Sequence, residues 1–179
     1  MIWKAFIHKV LQNIITRKVS FDKAFKMAIG WLRGRTLEIK MSDLYEISKS
    51  ITKKYYLLNR IWVDLRKIIG NADIIDIWLS LQESEPLPEN IKTKVPRKYV
   101  LSTYEKILSQ AKDDIVRISL ELSYPEWFVR KISKFFRLKE LRNLLIELDR
   151  ERIWIRVNML KADSDQVIKL LEEDGCYVE

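Results

Sequence analysis

Four glycines and four prolines are all that this chain of 179 residues offers for tight turns. A sandwich or barrel of short strands needs turn residues roughly every 8–12 positions, so the shortage steers the chain towards helices. The apolar residues agree. Ile2, Phe6, Ile7, Val10, Leu11, Ile14 and Ile15 fall on one helical stripe. Ser20 is placed to cap a second helix, in which Phe21, Ala24, Phe25, Ala28 and Leu32 recur at three and four, and Gly34 stops it. From Ser42 a longer helical region carries Leu44, Ile47, Ile51, Tyr55, Leu58, Ile61, Trp62 and Leu65, with an interruption near Gly70 and Asn71.

A short helix over 72–82 leads into ESEPLPENIKTKVP at 83–96, which reads as a linker or as a long loop inside one helical domain. Helical patterning resumes from about Tyr99 to Leu122. In SYPEWFVRKISKFF, at 123–136, Ser123 and Glu126 have the spacing of a capping box, with Pro125 in the first turn, where a missing N–H costs nothing. Trp127, Phe128, Ile132, Phe135 and Phe136 are expected to form the buried face of that helix, and Arg130, Lys131, Lys134 and Arg137 crowd the rest. A further helix follows over 138–151.

The pattern then changes. Ile153, Ile155, Val157 and Met159 alternate with Trp154, Arg156, Asn158 and Leu160, the signature of a strand. Asp163 or Ser164 caps a helix bearing Val167, Leu170 and Leu171, Gly175 ends it, and CYVE at 176–179 opens as a second strand. Two strands make a marginal sheet, so the last segment is expected to be part of a larger domain or to be completed by another chain. The expected fold is therefore mostly α, a helical bundle followed by a small helical and β-α-β segment.

The chemistry that is missing narrows the function. His8 is the sole histidine and Cys176 the sole cysteine, which removes multi-histidine metal sites and leaves no intrachain disulfide; a cytoplasmic setting is expected. Gly30, Gly34, Gly70 and Gly175 form no phosphate-cradling cluster. Asp113 and Asp114 are adjacent, so their side chains diverge by about 100° on a helix, and they read as solvated. No apolar run reaches membrane-spanning length. No catalytic, cofactor-binding or metal site is expected in this chain.

Binding remains. The net charge of +8 is unevenly spread: residues 1–69 hold 15 Lys and Arg against 5 Asp and Glu, and residues 70–179 hold 18 against 20. A concentrated positive field suits a phosphate-rich partner, here RNA. The expected contacts are Arg17, Lys18, Arg33, Arg35, Lys53, Lys54, Arg60, Arg66 and Lys67 in the first helices, then Arg130, Lys131 and Lys134, and finally Arg152, Arg156 and Lys161. Arg156 and Trp154 share a strand face able to meet a phosphate and stack a base.

At these residues a resemblance emerges. SYPEWFVRKI and, after a helix, WIRVNMLKADSDQVIKLLEEDG resemble the Sun/Fmu family of RNA cytosine-C5 methyltransferases. The matching positions are Ser123, Pro125 and Trp127, then Arg156, Val157, Asn158 and Lys161, then Glu173 and Gly175. The family often has a proline-containing turn before its strand, where this chain has DRER at 149–152. The resemblance implies a NusB-like helical RNA-binding domain over 1–122 and, over 123–179, the incomplete start of a pre-catalytic α/β domain. It further implies an rRNA or tRNA substrate and methyl transfer from S-adenosylmethionine. The cofactor and catalytic cysteines would belong to a methyltransferase domain in cis or in trans, not to this chain. The other function expected is a standalone NusB-like adaptor that binds RNA or a ribosomal or transcription protein.

Overall fold

A computed structural model describes residues 1–82, 94–150 and 156–176. Among them are ten α-helices and a 3-10 turn, and no strand. The helices are α1 (Ile2–Arg17), α2 (Phe21–Ile29), α3 (Met41–Lys53), α4 (Tyr55–Leu65), α5 (Ile74–Leu81), α6 (Arg97–Ser109), α7 (Asp114–Glu121), α8 (Glu126–Ile132), α9 (Leu138–Asp149) and α10 (Ser164–Glu173); the 3-10 turn is Gly30–Leu32. The chain forms two units, Met1–Leu145 and Ile146–Glu179.

In the first unit, α1 and α2 pack as a helical hairpin, and α3 and α4 continue the bundle. Trp3, Phe6, Ile7, Val10 and Leu11 of α1 are buried, whereas Ile15, expected on the same stripe, is exposed. The Phe6 ring meets the edge of Phe25 at 5.1 Å, and Tyr45 of α3 closes on Phe21 and Phe25. Helix α5 packs on both α4 and α6, which also pack on each other, and is buried from Ile75 to Ser80, with no polar face turned to water. The long helical region expected from Ser42 is two helices, separated at Lys54. The one expected from Tyr99 to Leu122 is likewise two, separated between Gln110 and Asp113.

Two charges inside this bundle are paired across sequence. Lys4 Nζ lies 2.5 Å from Asp76 Oδ1, and Asp76 is almost fully buried. One turn along α1, His8 Nε2 lies 2.9 Å from Asp73 Oδ2, while Asp73 Oδ1 caps α5 by accepting from the Ile75 N–H. Lys4 and His8 at i and i+4 thus meet Asp76 and Asp73 at i and i+3, a two-rung ladder tying α1 to the start of α5. The hydrogen bond to Asp73 raises the His8 pKa. Burial pushes the Asp73 carboxyl up, but the His8 ring and the Ile75 N–H outweigh it and hold the group below its ordinary range.

A second, smaller core joins α7, α8 and α9 through Ile118, Val129, Leu141 and Leu145, with Tyr124, Phe128 and Ile132 half-buried around it. Here the expected capping box is not formed. Pro125 occupies the N-cap of α8, and Ser123 adopts a left-handed conformation with φ of 59°. Its Oγ accepts instead from the Leu57 N–H, 66 residues away in the first turn of α4. That N–H is one of the four that no helix can satisfy from within, so Ser123 caps a helix other than its own. Asp113, expected to be merely solvated, caps α7 by accepting from the Val116 N–H at 2.8 Å.

In the second unit the strand expected over 153–160 is not seen. Residues 151–155, which include Arg152 and Trp154, lie outside the described residues, as do residues 177–179 of the expected second strand. Arg156, Val157 and Asn158 have no regular secondary structure, and Met159, Leu160 and Lys161 form a turn. The reason is local: Asn158 Oδ1 accepts from the Leu160 N–H and the Asn158 carbonyl accepts from Lys161 and Ala162. Turn chemistry at asparagine overrides the alternation. Asp163 forms a full capping box with Gln166 at the start of α10, and Gly175, with φ of 82°, ends it.

Candidate nucleic-acid interface

Two regions of the first unit treat their positive charges differently. Around the first four helices, Arg17, Lys18, Arg33, Lys54 and Arg60 are exposed, and none has a side-chain hydrogen-bond or ion-pair partner among the described residues. Arg17 ends α1 and Lys18 takes a left-handed conformation just beyond it, with φ of 50°. Three further cations share that condition and escape the reading from sequence: Lys23 and Lys26, one turn apart on α2, and Lys40 at the N-cap of α3. The signal that reveals the α2 pair is spacing, since positions i and i+3 on an amphipathic helix lie on one face. With Lys23 in its first turn, α2 extends the charge of the Arg17–Lys18 corner along the hairpin.

Two arginines are seated on aromatic rings. The Arg35 guanidinium lies 4.2 Å from the centre of the Trp31 ring and donates to the Trp31 carbonyl; that of Arg66 lies 5.2 Å from Trp62. Cation–π contact fixes the plane of a guanidinium while leaving edge N–H groups for an oxyanion. Lys53 ends α3 and is exposed. Lys67 pairs with Asp64 at 3.1 Å, so its charge is already answered within the protein.

Across α7, α8 and α9, Arg117, Arg130 and Arg142 are matched, whereas the Arg137 side chain has no partner among the described residues. Arg130 donates to Glu126 at 2.7 Å and to Asp113 at 2.8 Å. Hydrogen bonding to Asp113 and then Glu126 raises its pKa, and the Val116 N–H with Arg130 lowers that of Asp113. Arg117 and Arg142 both bind Glu121. Burial pushes that carboxyl up, and the two arginines outweigh it, leaving it below its ordinary range. Arg130 therefore joins α8 to α7 rather than standing available. Lys131 and Lys134 are exposed without such partners among the described residues.

The apolar face expected for α8 is also redistributed. Val129 is buried and Phe128 and Ile132 are half-buried, but Trp127 is 68% exposed and Phe135 78%, with Phe136 exposed beside them. In the second unit Arg156 and Lys161 are exposed.

Among the described residues no three histidine, cysteine or carboxylate side chains are grouped to hold a metal ion, and Cys176 is exposed. No helix among them is long and apolar enough to cross a membrane. The arrangement offers fixed positive charge and exposed rings, which is the equipment of binding. Set against known protein families, curated proteins and solved structures, the chain finds no match.

Proposed function

We propose that this chain binds RNA, and that it does so as the substrate-positioning N-terminal region of an S-adenosylmethionine-dependent methyltransferase acting on a cytosine C5 of rRNA or tRNA. The observation that carries the RNA reading is the contrast between matched and unmatched cations. Arginines that stabilise a fold sit against carboxylates, as Arg117, Arg130 and Arg142 do. Arg17, Lys18, Lys23, Lys26, Arg33 and Lys40 have none among the described residues. Gathering cations without counter-charges raises the energy of the folded chain through self-repulsion, a cost that a polyanion relieves.

The methyltransferase part is supported by the order and spacing of Ser123, Pro125, Trp127, Arg156, Asn158, Lys161, Glu173 and Gly175, and by a helical body preceding them. In this reading the chain holds RNA by its phosphates, with little choice of sequence, and the base chemistry belongs to a domain with the cofactor.

Filter binding to a structured RNA tests the first part. Submicromolar affinity at low salt, falling steeply as salt rises, is the expected result. Micromolar or weaker affinity that salt does not change overturns it. If ribosomal or transcription proteins are captured and stay bound after nuclease treatment, the chain is a protein-binding adaptor instead.

A further inference from the structure

The exposed rings beside α8 belong to neither core. Trp127 lies in the first turn of that helix, edge-on to Phe128 at 5.8 Å, and Phe128 in turn stacks on Tyr124 at 5.7 Å. The small core is therefore closed without Trp127, whose ring is mostly in water. Lys131 follows at i+4, on the same face by helical spacing, and Lys134 lies in the turn just beyond the helix. The turn that closes α8, in which the Phe135 N–H donates to the Ile132 carbonyl, ends in the exposed Phe135 and Phe136. Large rings left in water alternate here with lysines.

The carboxylates nearby, Asp113, Glu126 and Glu140, are outnumbered by Arg130, Lys131, Lys134, Arg137 and Lys139. Glu126 and Asp113 are both taken by Arg130, and Glu140 accepts from the Arg137 N–H at the start of α9. Lys131, Lys134 and Lys139 have no such partners among the described residues. The face is thus cationic as well as aromatic. A folded apolar protein surface would match the rings but not the lysines, and an acidic surface would match the lysines but not the rings. An unpaired nucleic-acid strand supplies both, a phosphate and a planar base in every residue.

We infer that Trp127 and Phe135 form a stacking platform for unpaired RNA bases, with Lys131 and Lys134 holding the adjoining phosphates. The inference rests on the RNA reading and deepens it: the cations of α1–α4 take phosphate from RNA of any shape, and the α8 face selects a stretch out of the duplex. Duplex RNA buries its base faces in its own stack and gains nothing from these rings.

Fluorescence anisotropy with the full chain tests this, using a labelled oligouridylate of about a dozen nucleotides and an RNA duplex of equal length. Trp127→Ala and Phe135→Ala should each weaken the single strand by about tenfold and leave the duplex unchanged within twofold. Trp127→Phe, which keeps a ring, should retain most of the affinity. Because both rings are mostly exposed, the variants should melt with the wild type, which circular dichroism checks. If wild type binds the duplex and Trp127→Ala leaves single-strand affinity intact, the platform is overturned and the RNA reading stands. If wild type binds neither probe, both fall. If sedimentation shows wild type self-associating and Trp127→Ala monomeric, with equal RNA affinity, the face serves protein contact and the inference is overturned.

Discussion

Helices α1–α4 and helices α7–α9 are both rich in lysine and arginine, yet the same residue types perform different work in the two regions. In the second, Arg130 and Arg142 span between helices, each ending on a carboxylate of another element. In the first, the cations at the α1–α2 corner and along α2 reach only solvent among the described residues. Lysine and arginine content alone cannot tell these cases apart. What separates them is the supply of acids: five in residues 1–69, of which Glu38 is engaged at the start of α1, accepting from the Ile2 and Trp3 N–H groups, and Asp64 is paired with Lys67. An unmatched charge is therefore the more informative one.

Neutralising the unmatched side puts this contrast to its hardest test. Replacing Arg17, Lys18, Lys23 and Lys26 together by Gln should lower RNA affinity at low salt by roughly 100-fold and reduce the salt slope by about 0.7–0.9 for each phosphate left without its cation. Thermal stability should hold or rise. Arg130→Gln is the matched control; it should lower the melting midpoint and leave RNA affinity within twofold. An equal fall in affinity from the two variants would dissolve the distinction between the regions.

Matched charge also occurs in the first region, at the Lys4–Asp76 pair. Asp76→Ala strands the largely buried Lys4 ammonium and should cost about 3 kcal/mol in a urea titration. Replacing both partners with apolar residues of similar size, Lys4→Met with Asp76→Leu, should recover most of that stability. A single variant no worse than the double would show that the pair is not felt as buried.

Ser123→Ala removes the cap on α4 and should cost about 1 kcal/mol. Ser123→Gly removes the same hydroxyl but relieves the left-handed backbone, so it should be the milder change by differential scanning calorimetry. The smallest effect concerns the second rung. The folded-state pKa of His8 is raised, so its pairing contributes fully below the ordinary imidazole value and fades as pH rises through the raised one. The folded-state pKa of Asp73 is lowered, so its contribution is full above the ordinary carboxylate value and fades as pH falls through the lowered one. The rung is strongest at roughly pH 4 to 6.5. His8→Gln should shift the urea midpoint more at pH 5.5 than at pH 8.5, by less than about 1 kcal/mol, because His8 is half-exposed and water screens the pair.

Local features are the ones that can be read from the residues alone. The cap at Asp163 and the stop at Gly175 each follow from a few neighbouring residues and stand as expected. The α1 stripe holds except at Ile15, and α2 gives way to the 3-10 turn at Gly30, ahead of the stop expected at Gly34. The breaks at Lys54 and between Gln110 and Asp113 carry no glycine or proline to mark them; the second is set by the Asp113 side chain, which caps α7. Ser123, Pro125 and Glu126 fit a local capping box by spacing, but a donor in α4 competes for the hydroxyl and takes it. Periodicity assigns Trp127 and Phe135 to the core because apolar spacing does not say how much core there is to fill. Val129, Leu141, Leu145 and Ile118 already close the small one. The unmatched cations show in the sequence only as a regional surplus; which of them lack partners depends on side chains far away in the chain.

The reach of Ser123 to Leu57 also bears on the order in which the molecule assembles. The first turn of α4 keeps an unanswered donor until the segment after α7 has arrived, so a bond local in space closes a very long loop of chain. Hydrogen exchange at the Leu57 amide would then time the docking of that later segment rather than the winding of its own helix.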